Sequence, residues 1–207
     1  MPPQRKGRTK TGKQEWLTQG FVILKTQGAA GLTIDNLTTA MGRTKGAFYH
    51  HFKNRQDYSR RLLELWEERQ ANEIIRISKQ KKTFNDINQT LVDLSEKAMD
   101  SEIEVAIRAW ALRDPLAREF QERIDTHRTK FLAELFSLMT DTPGHAELFA
   151  VIRYCFYIGS HQMIPALDDH TYREKLAELT RMFFLYKDSD AARSHSDVTQ
   201  PHKDTPT

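Results

Sequence analysis

Hydrophobic residues recur along this chain at the spacing of an α-helix. Leu17, Phe21 and Leu24 stand at i, i+4 and i+7, which places them on one face of a helix over about residues 12–27. Ile34 and Met41 mark the apolar face of a shorter helix in the same way. No alternation typical of a β-strand survives this periodicity, so the pattern predicts an all-α protein.

Capping residues, glycines and prolines divide this pattern into separate helices. Thr33 and Thr44 are N-cap residue types, and Gly42 between them breaks the chain. Later starts carry a capping box or a capping residue before proline: Thr83 to Asp86, Ser101 to Glu104, Asp114-Pro115, Thr142-Pro143, and Asp168 or Asp169. The predicted helices lie near residues 12–27, 34–41, 45–51, 55–78, 84–99, 102–113, 115–140, 143–164 and 169–187.

Positive charge is concentrated at the start of the chain. Residues 1–61 contain 12 Lys and Arg against three acids, a balance of +9, so the remaining residues carry −6 to give the net charge of +3. A basic head on an acidic body favours a polyanionic partner, although the charge alone fits a solvated surface equally well. Arg5, Lys6, Arg8 and Lys10 are expected to contact DNA in the minor groove or along the backbone, or to be a merely soluble arm.

Composition favours a cytoplasmic location. Cys155 is the only cysteine, which excludes an intrachain disulfide and fits a reducing compartment. The longest aliphatic and aromatic run, Phe21 to Leu24, is too short to span a bilayer. No apolar stretch follows the basic N-terminus, so we expect neither a signal peptide nor a membrane partner.

The most informative segment runs from Thr33 to Tyr49. It predicts two short helices joined at Gly42, whose freedom to adopt a positive φ suits the turn between them. Phe48 of the second helix faces the core, and a helix of this kind fits the major groove of B-DNA. The candidate DNA contacts are Thr33 at the start of the first helix and, at the start and on the outer face of the second helix, Arg43, Thr44, Lys45, Tyr49 and His50. The alternative is that these are ordinary solvent-exposed polar residues that bind nothing. For Tyr49 a further alternative is that its ring closes the core.

The chain resembles the TetR family of regulators over residues 13–63, a range that includes this segment. The family pattern of glycine, small or hydroxyl residue, glycine, apolar residue, tyrosine and phenylalanine is present as Gly42, Thr44, Gly46, Phe48, Tyr49 and Phe52. Lys53-Asn54-Arg55-Gln56-Asp57 resembles the family's turn into the fourth helix, which implies that Lys53 contacts phosphate. A looser resemblance continues through Glu104–Ala111, Asp114-Pro115, Asp125–Arg128 and Tyr157-Ile158-Gly159.

Two residues depart from the family pattern. Thr38 stands where alanine is usual and is small enough to be accommodated. Arg43 stands where a small apolar residue is usual, and because a guanidinium is not buried unpaired, we expect it to point outward toward a phosphate or a base edge. Arg43 is therefore expected to alter the operator preference.

Catalysis and metal binding find little support. The chain has no nucleophile elbow, phosphate loop or dinucleotide fingerprint, and its paired carboxylates fall on predicted exposed faces. His50 and His51 are adjacent, and Cys155 and His161 are six residues apart, which suits no common metal site. We expect no enzyme activity, no metal and no cofactor. A nonspecific architectural DNA binder is disfavoured because residues 62–207 are net acidic.

The second half is expected to bind a small molecule and to form a dimer. Apolar stripes there are more often core, but large aromatic residues and interspersed polar ones, in a region where the family has its pocket, give the candidate lining Trp66, Trp110, Arg113, Phe131, Tyr157 and His161. The helices near 143–164 and 169–187 are apolar over a wide arc, which favours a four-helix dimer interface.

Together these features predict a basic arm over residues 1–12, a three-helix helix-turn-helix domain over 13–61, a helical ligand-binding and dimerisation domain over 62–187, and a disordered tail over 188–207. The resemblance implies a homodimeric repressor that binds a palindromic operator and is released by a small, largely apolar effector. An activator or a ligand-independent regulator on the same fold is the alternative.

Overall fold

The computed structural model describes residues 12–98, 100–142 and 144–197, and this part of the chain is built of α-helices without a strand. The all-α prediction is confirmed. The helices are α1 (Lys13–Gln27), α2 (Ile34–Met41), α3 (Lys45–Tyr49), α4 (Arg55–Glu67), α5 (Glu73–Ser78), α6 (Phe84–Ala98), α7 (Ser101–Ala111), α8 (Pro115–Phe136), α9 (His145–Gln162) and α10 (Asp169–Asp197). A 3₁₀ turn covers Ala29–Gly31. No described helix is long and apolar enough to cross a membrane.

Several helices begin at the predicted caps. Thr33 accepts a hydrogen bond from the N–H of Asn36 at 3.1 Å, and Thr83 accepts one from Asp86 at 3.2 Å. Asp168 accepts one from Thr171 at 2.9 Å, and these hydrogen bonds to Thr171 lower the pKa of its carboxyl group. Because each bond satisfies a helical N–H that has no intrahelical partner, local sequence alone determines where these helices begin.

Two predicted starts were wrong by a few residues. Asp100, not Ser101, caps α7 by accepting a hydrogen bond from Ile103 N–H at 3.3 Å. The predicted start at Thr142-Pro143 is replaced by one after Gly144, which has a φ of 81° and precedes His145; Pro143 lies outside the described residues. In both places a second suitable residue stood close by.

The observed helix ends differ from the predicted ends more than the observed starts differ from the predicted starts. The predicted helix over 55–78 is interrupted by a π-helical segment at Glu68–Asn72. Helix α8 ends at Phe136 rather than near Thr140, and α3 ends at Tyr49 rather than at His51. The last helix continues through residues 188–197, so the prediction of a disordered tail is wrong for these residues. Residues 198–207 and the arm residues Arg5, Lys6, Arg8 and Lys10 lie outside the described residues.

The chain divides into two compact units. The N-terminal unit contains the residues up to Arg76 together with Lys97–Thr126, and the C-terminal unit contains Ile77–Glu96 and the residues from His127 onward. The N-terminal unit therefore includes α7 and the first half of α8 besides the helix-turn-helix. The predicted boundary at residue 61 separates a DNA-binding domain from a ligand-binding and dimerisation domain. This division by function stays a prediction.

A single hydrophobic core holds the N-terminal unit together. Its fully buried side chains come from α1, α2, α3, α4, α7 and the turn before α4: Trp16, Leu24, Leu37, Phe48, Phe52, Tyr58, Leu62, Trp66 and Ile107. Helices α1 and α4 approach closely at Gly20, where an added Cβ would overlap the hydroxyl of Tyr58. That hydroxyl donates a hydrogen bond to the carbonyl of Trp16 at 2.8 Å, and burial raises the pKa of Tyr58 above its usual range.

Aromatic and apolar contacts also organise the C-terminal unit. Phe149 of α9 stacks on Phe183 of α10 with ring centroids 4.6 Å apart, and Phe136 meets Phe183 edge-on at 5.3 Å. These rings bring α8, α9 and α10 together on one side of α9. The opposite side of α9 stays exposed.

Candidate functional site

The turn between α2 and α3 sets the position of the candidate DNA-contacting helix. Gly42 has a φ of 59°, and its N–H and that of Arg43 donate to the carbonyls of Thr39 and Thr38 at 3.1 and 2.9 Å. This is a Schellman ending, which requires a left-handed residue that glycine supplies at little cost. The hydroxyl of Thr38 donates to the carbonyl of Ile34 at 2.8 Å, so this departure from the family pattern is accommodated inside the helix.

Helix α3 is fixed through one side and open on the other. Phe48 is fully buried against Trp16, Phe52 and Tyr58, with ring centroids 5.1–5.6 Å away. Thr44 caps the helix by accepting from the N–H of Ala47 at 3.3 Å. The open side carries most of the predicted DNA contacts, which share solvent exposure: Thr44, Lys45, Tyr49 and His50.

The predicted contacts differ in how far they are free to meet a ligand. Tyr49 is 54 % exposed, so the alternative that its ring closes the core is wrong. Arg43 and Thr33 are half-buried beside the exposed face. Thr33 and Thr44 accept hydrogen bonds from the backbone, so each hydroxyl keeps its own hydrogen to donate to a phosphate oxygen.

Lys45 is held by an acid on the neighbouring helix. Its ammonium lies 2.6 Å from the carboxylate of Asp35, and both side chains are mostly exposed. The hydrogen bond with Asp35 raises the pKa of Lys45, so the side chain is charged at any physiological pH. The pair positions one cation over the junction of α2 and α3.

Lys53 stands at the start of α4 in a fixed backbone. Asn54 accepts a hydrogen bond from the N–H of Asp57 at 2.8 Å, and Asp57 accepts one from the N–H of Lys53 at 3.0 Å. This reciprocal cap leaves the Lys53 side chain exposed. Whether Lys53 and the α3 residues touch DNA stays a prediction.

The six candidate ligand residues fall into both units. Trp66 and Trp110 belong to the core of the N-terminal unit, while Arg113 is exposed after α7. Phe131, Tyr157 and His161 belong to the C-terminal unit, where Tyr157 and His161 are in ring contact at 4.7 Å. Exposure removes Arg113 from any interior lining, and the packing of the two tryptophans favours the core interpretation.

A groove in the C-terminal unit was not predicted. It has a volume of about 450 Å³ between α6 and α10 and is lined in part by Asn88, Gln89, Arg173, Leu176 and Phe184. None of the six candidate ligand residues lines it. The sequence carries no signal for this groove because its walls come from two helices that are separated by about 70 residues.

No cluster of metal-binding groups accompanies these sites in the described part of the chain. No three His, Cys, Asp or Glu side chains there lie close enough to hold a metal ion. The polar groups at α3 are hydrogen-bond donors and cations, which suit an anionic surface rather than the making or breaking of a covalent bond.

Comparison with known proteins supports the fold assignment. No protein-family model and no curated protein matches the sequence. A transcriptional regulator from Rhodococcus has 13 % identity, covers 86 % of this chain and 98 % of its own, and has a TM-score of 0.72. A TetR-family regulator from Mesorhizobium loti has 15 % identity, covers 88 % of this chain and 98 % of its own, and has a TM-score of 0.66.

A third structure, the ketosteroid transcriptional regulator KstR2 of Mycobacterium tuberculosis, has 16 % identity, a TM-score of 0.64, and covers 84 % of this chain and 95 % of its own. All three are described as transcriptional regulators. The resemblance to the TetR family is confirmed at the level of the fold.

Proposed function

We propose that this chain, which has the fold of the TetR-family transcriptional regulators, is a homodimeric transcriptional repressor that binds a palindromic operator in double-stranded DNA and is released by a small molecule. The observation that carries the proposal is the exposed cationic and hydroxyl face of α3, mounted on a rigid aromatic core through Phe48. A cytoplasmic location accords with this role. An activator or a ligand-independent regulator would share the same DNA contacts.

Dimerisation is supported by an apolar face on the last two helices. Leu148, Val151, Ile152 and Cys155 follow one another at i, i+3, i+4 and i+7 along α9, and all are exposed. Met182, Leu185 and Tyr186 are exposed on α10, which packs beside α9. Two copies joined through this face form a four-helix interface, and a two-fold dimer matches a palindromic site with half-sites about 34 Å apart.

The proposal is tested by selecting bound sequences from a random pool of double-stranded DNA with the full chain. We expect an enriched two-fold symmetric sequence and, by light scattering, a mass twice that of the chain. Enrichment of an asymmetric site, or a monomer at micromolar concentration, would contradict it.

Lys45→Ala is expected to weaken operator binding by about 1–3 kcal/mol if Lys45 contacts a base edge. The substitution removes a cation and also leaves the carboxylate of Asp35 without it, so phosphate meets an unneutralised charge. If Lys45 contacts only phosphate, the loss is the same for all sequences and the salt slope falls by about one unit. Titrations at several salt concentrations measure both quantities, with exposed Lys130 replaced by alanine as the control.

Arg43→Val is expected to change the sequence that is preferred rather than to abolish binding. The substitution restores the small apolar residue that is usual in the family and removes a half-buried guanidinium beside α3. Repeating the DNA selection with the variant checks this. An unchanged consensus with weaker, salt-dependent binding would reduce Arg43 to a backbone contact.

A further inference from the structure

Two arginines are buried inside the C-terminal unit. Arg128 of α8 is 8 % exposed, and Arg153 of α9 is 4 % exposed. Removing a guanidinium from water is costly unless hydrogen bonds and an opposite charge compensate it. The partners of these side chains therefore indicate what they are built to hold.

Arg153 meets a hydroxyl group rather than a carboxylate. Its Nη1 donates a hydrogen bond to the hydroxyl of Tyr172 at 3.2 Å, and Tyr172 is 5 % exposed. Among the described residues no carboxylate pairs with Arg153. A guanidinium has five N–H donors, and Tyr172, which accepts one of them, still has its own O–H to donate. Arg153 and Tyr172 together form a buried set of donors with a positive charge.

Aromatic rings surround this pair. Phe156 stacks on Tyr172 with centroids 5.6 Å apart, and His161 lies 5.6 Å from Tyr172 and 4.7 Å from Tyr157. The chain of rings leads to Arg128, whose guanidinium lies 5.7 Å from the ring of Tyr157. Aromatic rings therefore lie between the guanidinium groups of Arg153 and Arg128.

We propose that Arg153 and Tyr172 bind the carboxylate of an effector whose remaining body is apolar or aromatic. This inference rests on the proposed function and specifies the chemical class of the small molecule. A carboxylate matches the planar guanidinium with two parallel hydrogen bonds, and the O–H of Tyr172 adds a third donor. The guanidinium of Arg153 neutralises the single negative charge of the carboxylate. The rings of Phe156 and Tyr157 contact the apolar body of the effector.

The test compares a carboxylate with an alcohol of equal chain length. Octanoate and octanol are titrated into the full chain by calorimetry without DNA, and we expect octanoate to bind at least ~10-fold more tightly. Arg153→Met keeps the side-chain length and removes the charge, so it is expected to lower octanoate affinity ~10-fold or more and leave octanol unchanged. Tyr172→Phe keeps the ring and is expected to lower octanoate affinity by a smaller factor, about 3–10-fold.

Matched controls separate recognition from folding. Arg76→Met, on an exposed arginine, should leave octanoate affinity unchanged. If thermal unfolding shows that Arg153→Met does not fold, Tyr172→Phe decides the outcome. The proposal is wrong if octanoate and octanol bind equally, if neither binds, or if both variants keep full octanoate affinity. Because these titrations contain no DNA, their failure is distinct from a failure of operator binding.

Discussion

Trp110→Ala is expected to destabilise the N-terminal unit by about 3–5 kcal/mol. The Trp110 side chain is 7 % exposed and belongs to the same core as Trp16, Leu37 and Phe48, so its removal leaves a cavity next to the helix-turn-helix. Because whole domains are stable by only about 5–15 kcal/mol, we expect a large fall in the urea midpoint and weakened operator binding. Urea unfolding followed by circular dichroism measures the effect.

This expectation replaces the role that the sequence favoured for Trp110. The sequence makes Trp110 a candidate lining residue of the effector pocket, whereas its packing in the core favours a structural role. Leu112→Ala is the matched control, since Leu112 lies two residues away and is 74 % exposed, and it should change stability by less than about 0.5 kcal/mol. A Trp110→Ala protein with wild-type stability and a lost effector response would restore the original assignment.

Val151→Glu is expected to convert the proposed dimer to a monomer and to lower operator affinity by roughly 100-fold or more. Val151 lies between Leu148 and Cys155 on the exposed face of α9, and a carboxylate there would be buried without a partner in the interface. A monomer binds one half-site and loses the gain of two linked contacts, which is typically about 10²–10⁴-fold. Light scattering gives the mass, and titration of a complete operator against a half-site gives the affinity.

The control for this variant introduces the same charge elsewhere. Leu112→Glu places glutamate on an exposed leucine of the N-terminal unit, and we expect it to remain dimeric with unchanged operator affinity. If Val151→Glu is a dimer with normal binding, the apolar face of α9 and α10 is not the interface. Far-UV circular dichroism of both variants excludes unfolding as the cause.

Features determined by neighbouring residues were predictable from the sequence. Thr33 and Asp168 cap helices because a side-chain oxygen within three residues satisfies a free N–H, and Gly42 ends α2 because it alone there takes a positive φ readily. The exposed face of α3 follows from the same local pattern, since burial of Phe48 turns Lys45 and Tyr49 outward. The residues of one short segment carry all of this information.

Features that depend on distant residues were missed. The pairing of Arg153 with Tyr172 joins two helices, and Arg153 directly follows the apolar stretch Phe149–Ile152, so the periodicity marks it only as an interruption. The π-helical segment at Glu68–Asn72 follows no glycine or proline, so no local breaker announces it. Interior positions of Trp66 and Trp110 fit a pocket and a core equally well until their neighbours are known.

The grouping of α7 and α8 with the helix-turn-helix has a consequence for how the protein is made. Lys25 of α1 forms ion pairs with Asp100 and Glu102 at 3.0 and 2.6 Å, and the same unit continues to Thr126. During synthesis these partners leave the ribosome long after α1 to α4. Part of the apolar surface of α1 to α4 therefore stays exposed to water until some fifty later residues have emerged. A gene fragment ending near residue 76 would lack Ile107, Trp110 and Phe120 and would leave that surface permanently in water.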